Sequence, residues 1–466
     1  MKRAFGILVA FAVLWLAGRE VIVRVGRATP RPASVILITL DTTRADRLPP
    51  YNAGMPLPAI EGLAREGVVF NRVVAPVPLT LPSHSSLFTG RLPPAHGARV
   101  NAERLGAGHP LFTERLREAG YRTAAFVGSV VLNKDRGLGR GFDVYDDVIS
   151  ETGTRRLRRP ASEVIDAALA WLNTGDASPF FMWVHLFDAH APYAMPEAFD
   201  ASPNGDPYTG AIAIMDAQIG RLLRAVDERK SLDRTAVIVT ADHGESLGDH
   251  GERGHGIFVY ESALRVPLIV RWPGVQPRRV SDLAQLIDIA PTVLDLEGLP
   301  APPMDGVSLA PLMRGDRSAL RRRQEQDLRL RSGQADRIAY AESMYPLHHG
   351  WSALRSVREG RFKFIEAPRP ELYDLESDPH EARNIYDTQP ATAARLLALL
   401  RTFGPAEIAA APEADAAARE RLAALGYASP TGGSTPSGPP AMWPDPKDMI
   451  AVYNDLTEKR MKQRDR

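Results

Sequence analysis

The sequence contains no cysteine, and this absence removes several kinds of chemistry at once. Disulfides, thiolate metal ligands, iron–sulfur clusters and cysteine nucleophiles are all excluded. The sequence also lacks an excess of charge, since 57 basic residues face 56 acidic residues for a formal net charge of +1. Because no global field attracts a polyanion, we predict that nucleic acid is not a partner.

The 466 residues have the composition of a globular chain, with 44% hydrophobic and 24% charged residues. This is enough apolar material for a sizeable core, which excludes disorder as the dominant state. The length fits about three domains, or one large α/β domain with an appendage.

The first residues have the layout of an export signal. Lys2 and Arg3 precede an unbroken apolar run over residues 4–17, and this order of charge and apolar stretch directs export. The run is shorter than the ~20 residues that a spanning helix needs. We predict that residues 1–25 are a signal peptide or, if uncleaved, an N-terminal membrane anchor. The remaining chain would then lie in the periplasm or on the extracytoplasmic face of the membrane.

Apolar runs typical of buried parallel strands alternate with helical patterns over residues 35–315. The strand-like runs are Val35–Leu40, Thr123–Val127, Phe180–Leu186, Thr235–Thr240 and Pro267–Val270. The helical patterns between them are Leu111–Ala119, Ala161–Leu172 and Ala211–Val226. This α/β alternation predicts a catalytic domain with a mostly parallel central sheet and helices on both faces.

A smaller C-terminal subdomain is predicted over residues 338–427. It would be an α+β unit with a short antiparallel sheet, whose predicted strands are Ala339–Glu342, Leu354–Arg358 and Phe362–Ile365. An arginine-dense segment, 314–331, precedes it as an exposed loop or helix. Residues 428–466 are predicted to form a flexible Pro/Gly/Ser-rich tail and a terminal helix over 449–461.

Acidic residues and histidines follow three of the predicted strands. They are, in chain order, Asp41, Asp46, Asp188, His190, Asp242, His243, Glu245, Asp249, His250 and His255. Any one of them has a structural explanation, since an aspartate after a strand is often a helix cap. However, the carboxyl ends of parallel strands meet at one edge of a sheet, where ligands bind. Carboxylates together with neutral imidazoles there suit a divalent metal ion such as zinc or manganese.

A fourth segment, Leu79–Arg91, is predicted to be a short loop that enters a helix. Pro82 fits the first helical turn, and Gly90 fits the position just past the helix end. Thr80 would lie at the helix N-terminus, where free N–H groups and the helix dipole attract an anion. Its hydroxyl is a candidate nucleophile if a nearby metal ion lowers its pKa, and the alternative is a simple N-cap.

Several segments together resemble the sulfatase family of the alkaline phosphatase superfamily. They are Asp41–Asp46, Thr80–Arg91, Asp242-His243-Gly, Tyr260–Gly274 and Glu371–Glu381 with Asn384. The resemblance covers about residues 35–427 and implies the sulfatase fold. Two later segments, 425–427 and 444–448, resemble bacterial sulfatase-like proteins that often continue into tetratricopeptide repeats.

The resemblance implies one divalent metal ion held by four side chains, those of Asp41, Thr80, Asp242 and His243. Calcium-dependent sulfatases often carry a second aspartate where this chain has Thr42. Zinc or manganese is therefore preferred, and calcium is possible. As an alternative, Asp188, His190 and His255 would form a second metal site, as in two-metal phosphodiesterases.

The resemblance also implies roles for residues around the ion. His190 matches a histidine that contacts the ester and protonates the leaving group, and His84 occupies the place of an arginine in the nucleophile motif. Asn101 and His255 would bind the oxygens of the substrate. His348, in the C-terminal subdomain, would reach over the pocket.

The family pattern changes at the nucleophile itself. Sulfatases carry Cys or Ser at the position of Thr80, and that residue is oxidised to formylglycine, whose hydrate expels sulfate by re-forming a carbonyl. A secondary alcohol cannot become that aldehyde, so we expect no formylglycine. Water can open a phosphothreonine at phosphorus, whereas a sulfothreonine has no carbonyl-forming exit. The sequence thus predicts a hydrolase of phosphate or sulfate esters that favours phosphoryl groups on a small molecule, lipid or glycan.

Two other functions stay open. A phosphoethanolamine-type transferase acting on envelope glycans or lipids would use the same Thr80 intermediate, but its usual multi-span membrane domain does not fit a chain with at most one span. A non-catalytic binding protein that retains the sulfatase fold would be marked by missing metal ligands, and all four are present. The oligomeric state is not encoded in these motifs.

Overall fold

The structure is a computed structural model that describes residues 34–52, 54–149, 158–175, 178–193, 205–229, 231–316, 337–404 and 443–464. Four of the predicted features lie outside these residues in whole or in large part. They are the export segment 1–25, the arginine-dense segment 314–331, the segment 425–427 and the first part of the tail, 428–442.

The strands and helices of the described residues are numbered in chain order. The strands are β1 (Ser34–Leu40), β2 (Val68–Phe70), β3 (Val73–Val74), β4 (Arg122–Val127), β5 (Val144–Asp146), β6 (Phe180–Leu186), β7 (Thr235–Ala241), β8 (Leu268–Arg271), β9 (Arg278–Val280), β10 (Ala284–Gln285), β11 (Ile338–Ser343), β12 (Leu354–Glu359), β13 (Phe362–Glu366) and β14 (Glu371–Asp374). The helices are α1 (Pro58–Glu66), α2 (Thr80–Thr89), α3 (Pro93–His96), α4 (Phe112–Glu118), α5 (Ala161–Asn173), α6 (Pro207–Glu228), α7 (Glu261–Leu264), α8 (Ile289–Leu296), α9 (Ala310–Met313), α10 (Pro390–Arg401) and α11 (Pro446–Arg464).

Eight strands form the central sheet in the order β5-β4-β6-β1-β7-β8-β2-β9. The pairs of β1 with β6 and β7, of β4 with β5 and β6, and of β2 with β9 are parallel, whereas β8 is antiparallel to both of its neighbours. The central strands β6 and β7 are buried along their whole length, as their continuous apolar runs require. The predicted mostly parallel α/β sheet is confirmed.

Helices pack against this sheet in two groups. In one group α6 contacts both α1 and α5, and in the other α2, α4 and α8 contact one another. Strand β4 contacts both α5 and α4, because each group lies on one face of the sheet. The predicted cover of helices on both faces is therefore also found.

The C-terminal part contains the predicted antiparallel sheet, with strand order β11-β12-β13-β14. Its fourth strand, β14, was missing from the prediction. One face of this sheet packs on α10 in a small apolar cluster that includes Tyr340, Val357, Phe364, Leu396 and Leu400. The terminal helix α11 includes the predicted helix 449–461. Among the described residues, every helix is too short or too polar to cross a bilayer.

Helix α2 matches the prediction for the segment Leu79–Arg91, which contains Thr80. It begins after Leu79, whose backbone is extended, and ends at Gly90, which adopts the left-handed conformation with φ of 64°. All ten residues of the helix are buried, because α2 lies between the sheet and the neighbouring helices α4 and α8. The helix that carries Thr80 is therefore a fixed part of the core.

Gly90 is required both by its backbone conformation and by the space around it. We expect Gly90→Ala to lower the free energy of unfolding by more than the ~1–2 kcal/mol cost of a left-handed non-glycine residue. The added Cβ would lie 2.6 Å from Sδ of Met304. That side chain has little freedom to move away, because the N–H groups of Asp305 and Gly306 both donate to the Gly90 carbonyl at 2.9 Å.

Gly97→Ala is the matched control, because Gly97 has φ of 80° but no atom within 4 Å of an added Cβ. Urea unfolding of both variants should show a larger loss for Gly90→Ala. Equal losses would contradict the steric part of the argument.

Candidate active site

Two aspartates follow neighbouring parallel strands at the same edge of the sheet. Asp41 comes directly after β1 and Asp242 directly after β7, and both are fully buried. One oxygen of Asp242, Oδ1, accepts hydrogen bonds from the N–H of Thr42 (3.2 Å) and of His243 (2.9 Å). Thr42 reaches this position in a left-handed conformation, with φ of 51°, that a non-glycine residue rarely adopts. The other oxygen, Oδ2, is left to face the site.

Asp41, Asp242 and His243 form one group that could hold a metal ion. Each offers a ligand atom, and these atoms lie within 4.8 Å of one another; it is the one such group of three that the described residues contain. Nδ1 of His243 donates to the carbonyl of Gly244 at 2.9 Å, which directs the lone pair of Nε2 to the site. Nε2 lies 3.4 Å from Oδ2 of Asp242.

Thr80 brings its hydroxyl to this group from the first residue of α2. Its Oγ1 lies 3.4 Å from Oδ2 of Asp41 and 3.4 Å from Nε2 of His243. The N-cap residue of the helix is Leu79, so the hydroxyl of Thr80 does not cap the helix. The structure thus brings together all four residues that the resemblance implied as metal ligands.

The buried charges of this group favour the binding of a cation. Burial raises the pKa of Asp41 to about 7 and that of Glu245 to about 8, and burial with the neighbouring Asp41 raises the pKa of Asp242. Burial opposes protonation of His243, but the carboxylates of Asp242 and Asp41 raise its pKa. Oδ1 of Asp41, Oδ2 of Asp242 and Oε2 of Glu245 are buried and find no hydrogen-bond donor among the described residues. Unpaired buried carboxylates are costly, so the residues present fit a divalent ion.

His84 lies beneath Thr80 and is fully buried, and both of its ring nitrogens contact protein groups. Its Nδ1 donates to the carbonyl of Thr80 at 2.8 Å, and its Nε2 lies 3.1 Å from Oγ1 of Thr39 on β1. Nδ1 is also 3.7 Å from Oδ2 of Asp242. In this position His84, which was predicted to be catalytic, holds the backbone of Thr80.

His190 and His255 form one wall of the site. The ring of His255 lies 4.5 Å from that of His243 and 5.1 Å from that of His190. Nδ1 of His255 is 3.1 Å from Oε1 of Glu245, and Nδ1 of His190 donates to the carbonyl of Ala191 at 2.7 Å. These contacts orient both rings beside the metal group, as expected for residues that bind an ester.

Asn101 approaches the start of α2 from a loop that the C-terminal sheet holds in place. Its Oδ1 accepts from the N–H of Leu81 at 2.9 Å, while its buried Nδ2 has no hydrogen-bond partner among the described residues. Two residues earlier in the loop, Arg99 donates to both oxygens of Glu342 on β11, at 2.7 and 2.5 Å. The C-terminal part therefore contributes to the site by fixing this loop.

The alternative second metal site of Asp188, His190 and His255 is not supported by this geometry. The carboxylate of Asp188 turns away to accept from the N–H of Ala161, at 3.3 and 3.0 Å, and so caps the start of α5. His348 lies on the short 3-10 helix Tyr345–His349, with its ring 6.1 Å from that of Tyr345. This helix is tied to the loop of His255, because the Ser343 hydroxyl beside it donates to the carbonyl of Gly256.

Two residues of the site had no role assigned from the sequence. His185, on β6, was not selected at all; it lies beneath the metal group, with Nε2 3.4 Å from Oδ2 of Asp41. Its only signal was a histidine inside an otherwise apolar strand. Glu245 was named among the acidic residues after a strand, and it orients His255 from a position two residues after His243.

The chain matches two family models and several known proteins. The family model described as Sulfatase matches residues 33–299, and the model for the C-terminal part of N-sulphoglucosamine sulphohydrolase matches residues 248–401. Arylsulfatase A of Homo sapiens is 24% identical over 470 aligned positions, covering 82% of this chain and 92% of that protein. Arylsulfatase K of Rattus norvegicus is 32% identical over 188 positions, covering 38% of this chain and 31% of that protein. The chain thus matches most of the first relative and about a third of the second.

Solved structures share the fold at low sequence identity. The phosphonate monoester hydrolase of Agrobacterium radiobacter superimposes with a TM-score of 0.64 at 22% identity, covering 80% of this chain and 96% of that one. A protein solved with its substrate D-glucosamine-2-N,6-O-disulfate has the same TM-score at 20% identity, with 80% and 98% coverage. These matches confirm the predicted fold. Because the Sulfatase model alone matches more than half of the 466 residues, the chain belongs to the sulfatase family of the alkaline phosphatase superfamily.

Proposed function

We propose that this chain is a metal-dependent hydrolase in which the hydroxyl of Thr80 attacks a phosphate or sulfate ester, with a preference for phosphoryl groups. The observation that carries the proposal is the position of Thr80 Oγ1, 3.4 Å from both Asp41 Oδ2 and His243 Nε2. A hydroxyl in that position has its neighbours in the metal group and not in the helix backbone.

Asp41, Asp242, His243 and Thr80 would hold the ion. When bound, the ion lowers the pKa of the Thr80 hydroxyl and offsets the negative charge of the ester. We propose zinc or manganese in preference to calcium, because one ligand is an imidazole and calcium prefers oxygen ligands. Thr42 does not replace the missing aspartate, since its hydroxyl donates to the carbonyl of Ala189 at 2.6 Å.

The proposed reaction has two steps. In the first, the Thr80 hydroxyl loses its proton to solvent and Oγ1 forms a bond to phosphorus, while the bond from phosphorus to the leaving oxygen breaks. His190, which the negative charge of the bound ester would keep doubly protonated, gives a proton to that oxygen. Nδ1 of His190 donates to the carbonyl of Ala191, so Nε2 is the atom that would transfer this proton. In the second step the bare Nε2 takes a proton from water as the water oxygen attacks phosphorus, the bond to Oγ1 breaks, and phosphate leaves.

The preference for phosphoryl groups follows from the second step. A formylglycine hydrate expels sulfate by forming a carbonyl, and the secondary alcohol of Thr80 has no such exit. The fold does not decide between the two groups, because the structures that share it include a phosphonate monoester hydrolase as well as a protein solved with a sulfated sugar. The proposed preference for phosphoryl over sulfate esters therefore depends on the side chain at position 80.

The substrate would be a small-molecule, lipid or glycan ester whose anionic oxygens meet three polar side chains. Nδ2 of Asn101 is buried beside the start of α2. His190 and His255, 5% and 7% exposed, line the same space from the other side. Together they would bind the oxygens that do not take part in bond exchange.

The nucleophile can be tested by substitution and by mass. Thr80→Ala should reduce the rate by about 10³-fold or more, and Thr80→Ser should keep part of it, because only the latter retains a hydroxyl. The intact mass should show no loss of two hydrogens on the Thr80 peptide, and phosphate mono- or diesters should be hydrolysed faster than the matching sulfate ester.

Thr89→Ala is the matched control, since the Thr89 hydroxyl lies on the same helix but donates to the Ser85 carbonyl. A preference of the unmodified protein for the sulfate ester would contradict the phosphoryl assignment.

The metal ligands can be tested without turnover. Asp242→Ala should lose the bound ion together with activity, as measured by metal analysis of the purified protein. Asp188→Asn should keep the ion, because the Asp188 carboxylate caps α5. Full occupancy in Asp242→Ala would refute the ligand assignment, and loss of an ion in Asp188→Asn would revive the second site.

We also propose that the protein is exported, on the evidence of the charged and apolar N-terminal pattern. Fusion of residues 1–34 to a reporter that works only outside the cytoplasm should give a signal. The same fusion without residues 4–17 should be silent, since the apolar run is what the export machinery recognises. A silent intact fusion would show that this segment is not an export signal.

A further inference from the structure

We propose that Asn454, on the terminal helix α11, is a positioning residue of the proposed active site. It acts through residues 244–257, which we call the His255 loop because His255 lies near their end. The inference rests on the proposed function, since that function assigns His255 to the anionic oxygens of the substrate. It adds a residue that none of the sequence motifs singled out, 201 positions after Arg253, the loop residue that it contacts.

The His255 loop leaves the site and returns to it. It begins directly after His243 and comes back at His255, whose ring lies 4.5 Å from that of His243. The N–H of Ser246 donates to the carbonyl of Gly254 at 2.8 Å and joins the two arms of the loop. Between the arms the backbone is irregular apart from the 3-10 turn Asp249–Gly251. Side chains must therefore satisfy backbone groups that a regular ladder of hydrogen bonds would otherwise pair.

Glu252 connects the two arms from inside the loop. Its fully buried carboxylate accepts hydrogen bonds from the N–H of Ile257 at 2.8 Å, from the hydroxyl of Ser246 at 2.9 Å and from the N–H of Phe258 at 3.3 Å. His255 lies between Glu252 and Ile257 in the chain, so these bonds link its position to that of Glu252. A shift of the backbone at residue 252 would therefore move His255 as well.

Asn454 holds the backbone on both sides of Glu252. Its Nδ2 donates to the carbonyl of Gly251 at 2.7 Å, and its Oδ1 accepts from the N–H of Arg253 at 3.2 Å. A primary amide offers a donor and an acceptor side by side, as a backbone peptide group does, so Asn454 pairs with the loop as a neighbouring strand would. The backbone two residues before His255 is thereby fixed to α11.

Other contacts hold α11 itself in place. Tyr453 is buried, with its ring 6.2 Å from that of Tyr345 and 5.6 Å from that of His349. Near the start of the helix, Asp448 accepts two hydrogen bonds from Arg369, both at 2.8 Å. These contacts do not involve the His255 loop. Removing the bonds of one further side chain should therefore leave α11 docked and release only the loop.

Asn454→Asp tests this role, because it keeps the size of the side chain and replaces its donor by an oxygen. That oxygen would repel the carbonyl of Gly251 and release the loop. Since Thr80 and the metal group lie outside the loop, we expect KM to rise about tenfold while kcat changes by less than about twofold. A purely structural role would instead lower the folded fraction, and with it kcat, at an unchanged KM.

Asp455→Asn is the matched control, because it makes the reverse exchange at the next position. The Asp455 carboxylate pairs with Lys459 of the same helix at 2.6 Å, so this variant should keep the KM of the unmodified protein. Hydrogen exchange gives a readout without turnover. The amides of the His255 loop should exchange faster in Asn454→Asp than in Asp455→Asn, while those of α11 stay equally protected in both.

Anion binding is a second readout that needs no catalysis. The probe is whichever of inorganic phosphate and inorganic sulfate binds the metal-loaded full chain more tightly in calorimetry. Asn454→Asp should weaken its binding about tenfold, and Asp455→Asn should not change it. If the chain binds the anion but hydrolyses no ester, the proposed function fails, and weaker binding by Asn454→Asp still supports the positioning role. A chain that binds neither anion would overturn both proposals.

Three results would overturn the positioning role alone. One is an unchanged KM in a folded Asn454→Asp protein. Another is slow exchange of the loop amides in Asn454→Asp, equal to that in Asp455→Asn. The third is a rise in KM of the same size in Asp455→Asn, since the charge of the helix, and not the contact with the loop, would then be the cause.

Discussion

The pairing of β1 between β6 and β7 is the constraint on which the site depends. Parallel register sets Thr39 beside both His185 and Thr240, so the residues that follow β1 and β7 emerge at the same height. This alignment brings Asp41 and Asp242 together although charged carboxylates repel. The energy that holds them comes from the apolar strands beneath, which are buried on both faces.

The burial of the carboxylates in the site is therefore energetically unfavourable, and the stable apolar core holds them in place. Three carboxylates, those of Asp41, Asp242 and Glu245, are fully buried. Burial raises the pKa of each, and the charge of a neighbouring carboxylate raises it further. The positive Arg44 is close but already bound, since it donates to Asp46 at 2.9 and 2.8 Å and to Asp249 at 2.7 Å. Arg44 instead joins the loops after β1 and β7. The charge of the carboxylates is left for an ion to neutralise.

The sequence was enough to predict the fold and the elements that carry Asp41, Thr80, Asp242 and His243. The local sequence pattern is enough to recognise the apolar runs of strands and the residues that begin and end helices. It is also enough to apply the rule that ligands bind at the ends of strands. Asp188 follows a strand in the same way, yet it caps α5, because the start of that helix at Ala161 reaches it first. Distinguishing a ligand from a cap requires the tertiary position of the helix, and local pattern does not contain it.

His185 was missed for a related reason. Within its apolar strand it resembles a core histidine whose polar atoms are satisfied, and its relation to Asp41 depends on the register of β6 against β1. The C-terminal contribution was equally hidden, because the pair of Arg99 and Glu342 joins residues far apart in the chain. Contacts between residues so far apart depend on how the folded elements pack, and no short sequence motif predicts them.

The departures from the family pattern at three positions make sense as one coordinated change. Thr42 stands where calcium-dependent sulfatases often carry an aspartate, which removes a negative charge, and His84 replaces an arginine, which removes a positive one. The balance of charge in the site is thereby preserved. His84 also joins the start of α2 to β1, because its Nδ1 donates to the carbonyl of Thr80 and its Nε2 lies 3.1 Å from the hydroxyl of Thr39. Under the proposed function, Thr80, four residues earlier on the same helix, would decide which group is transferred.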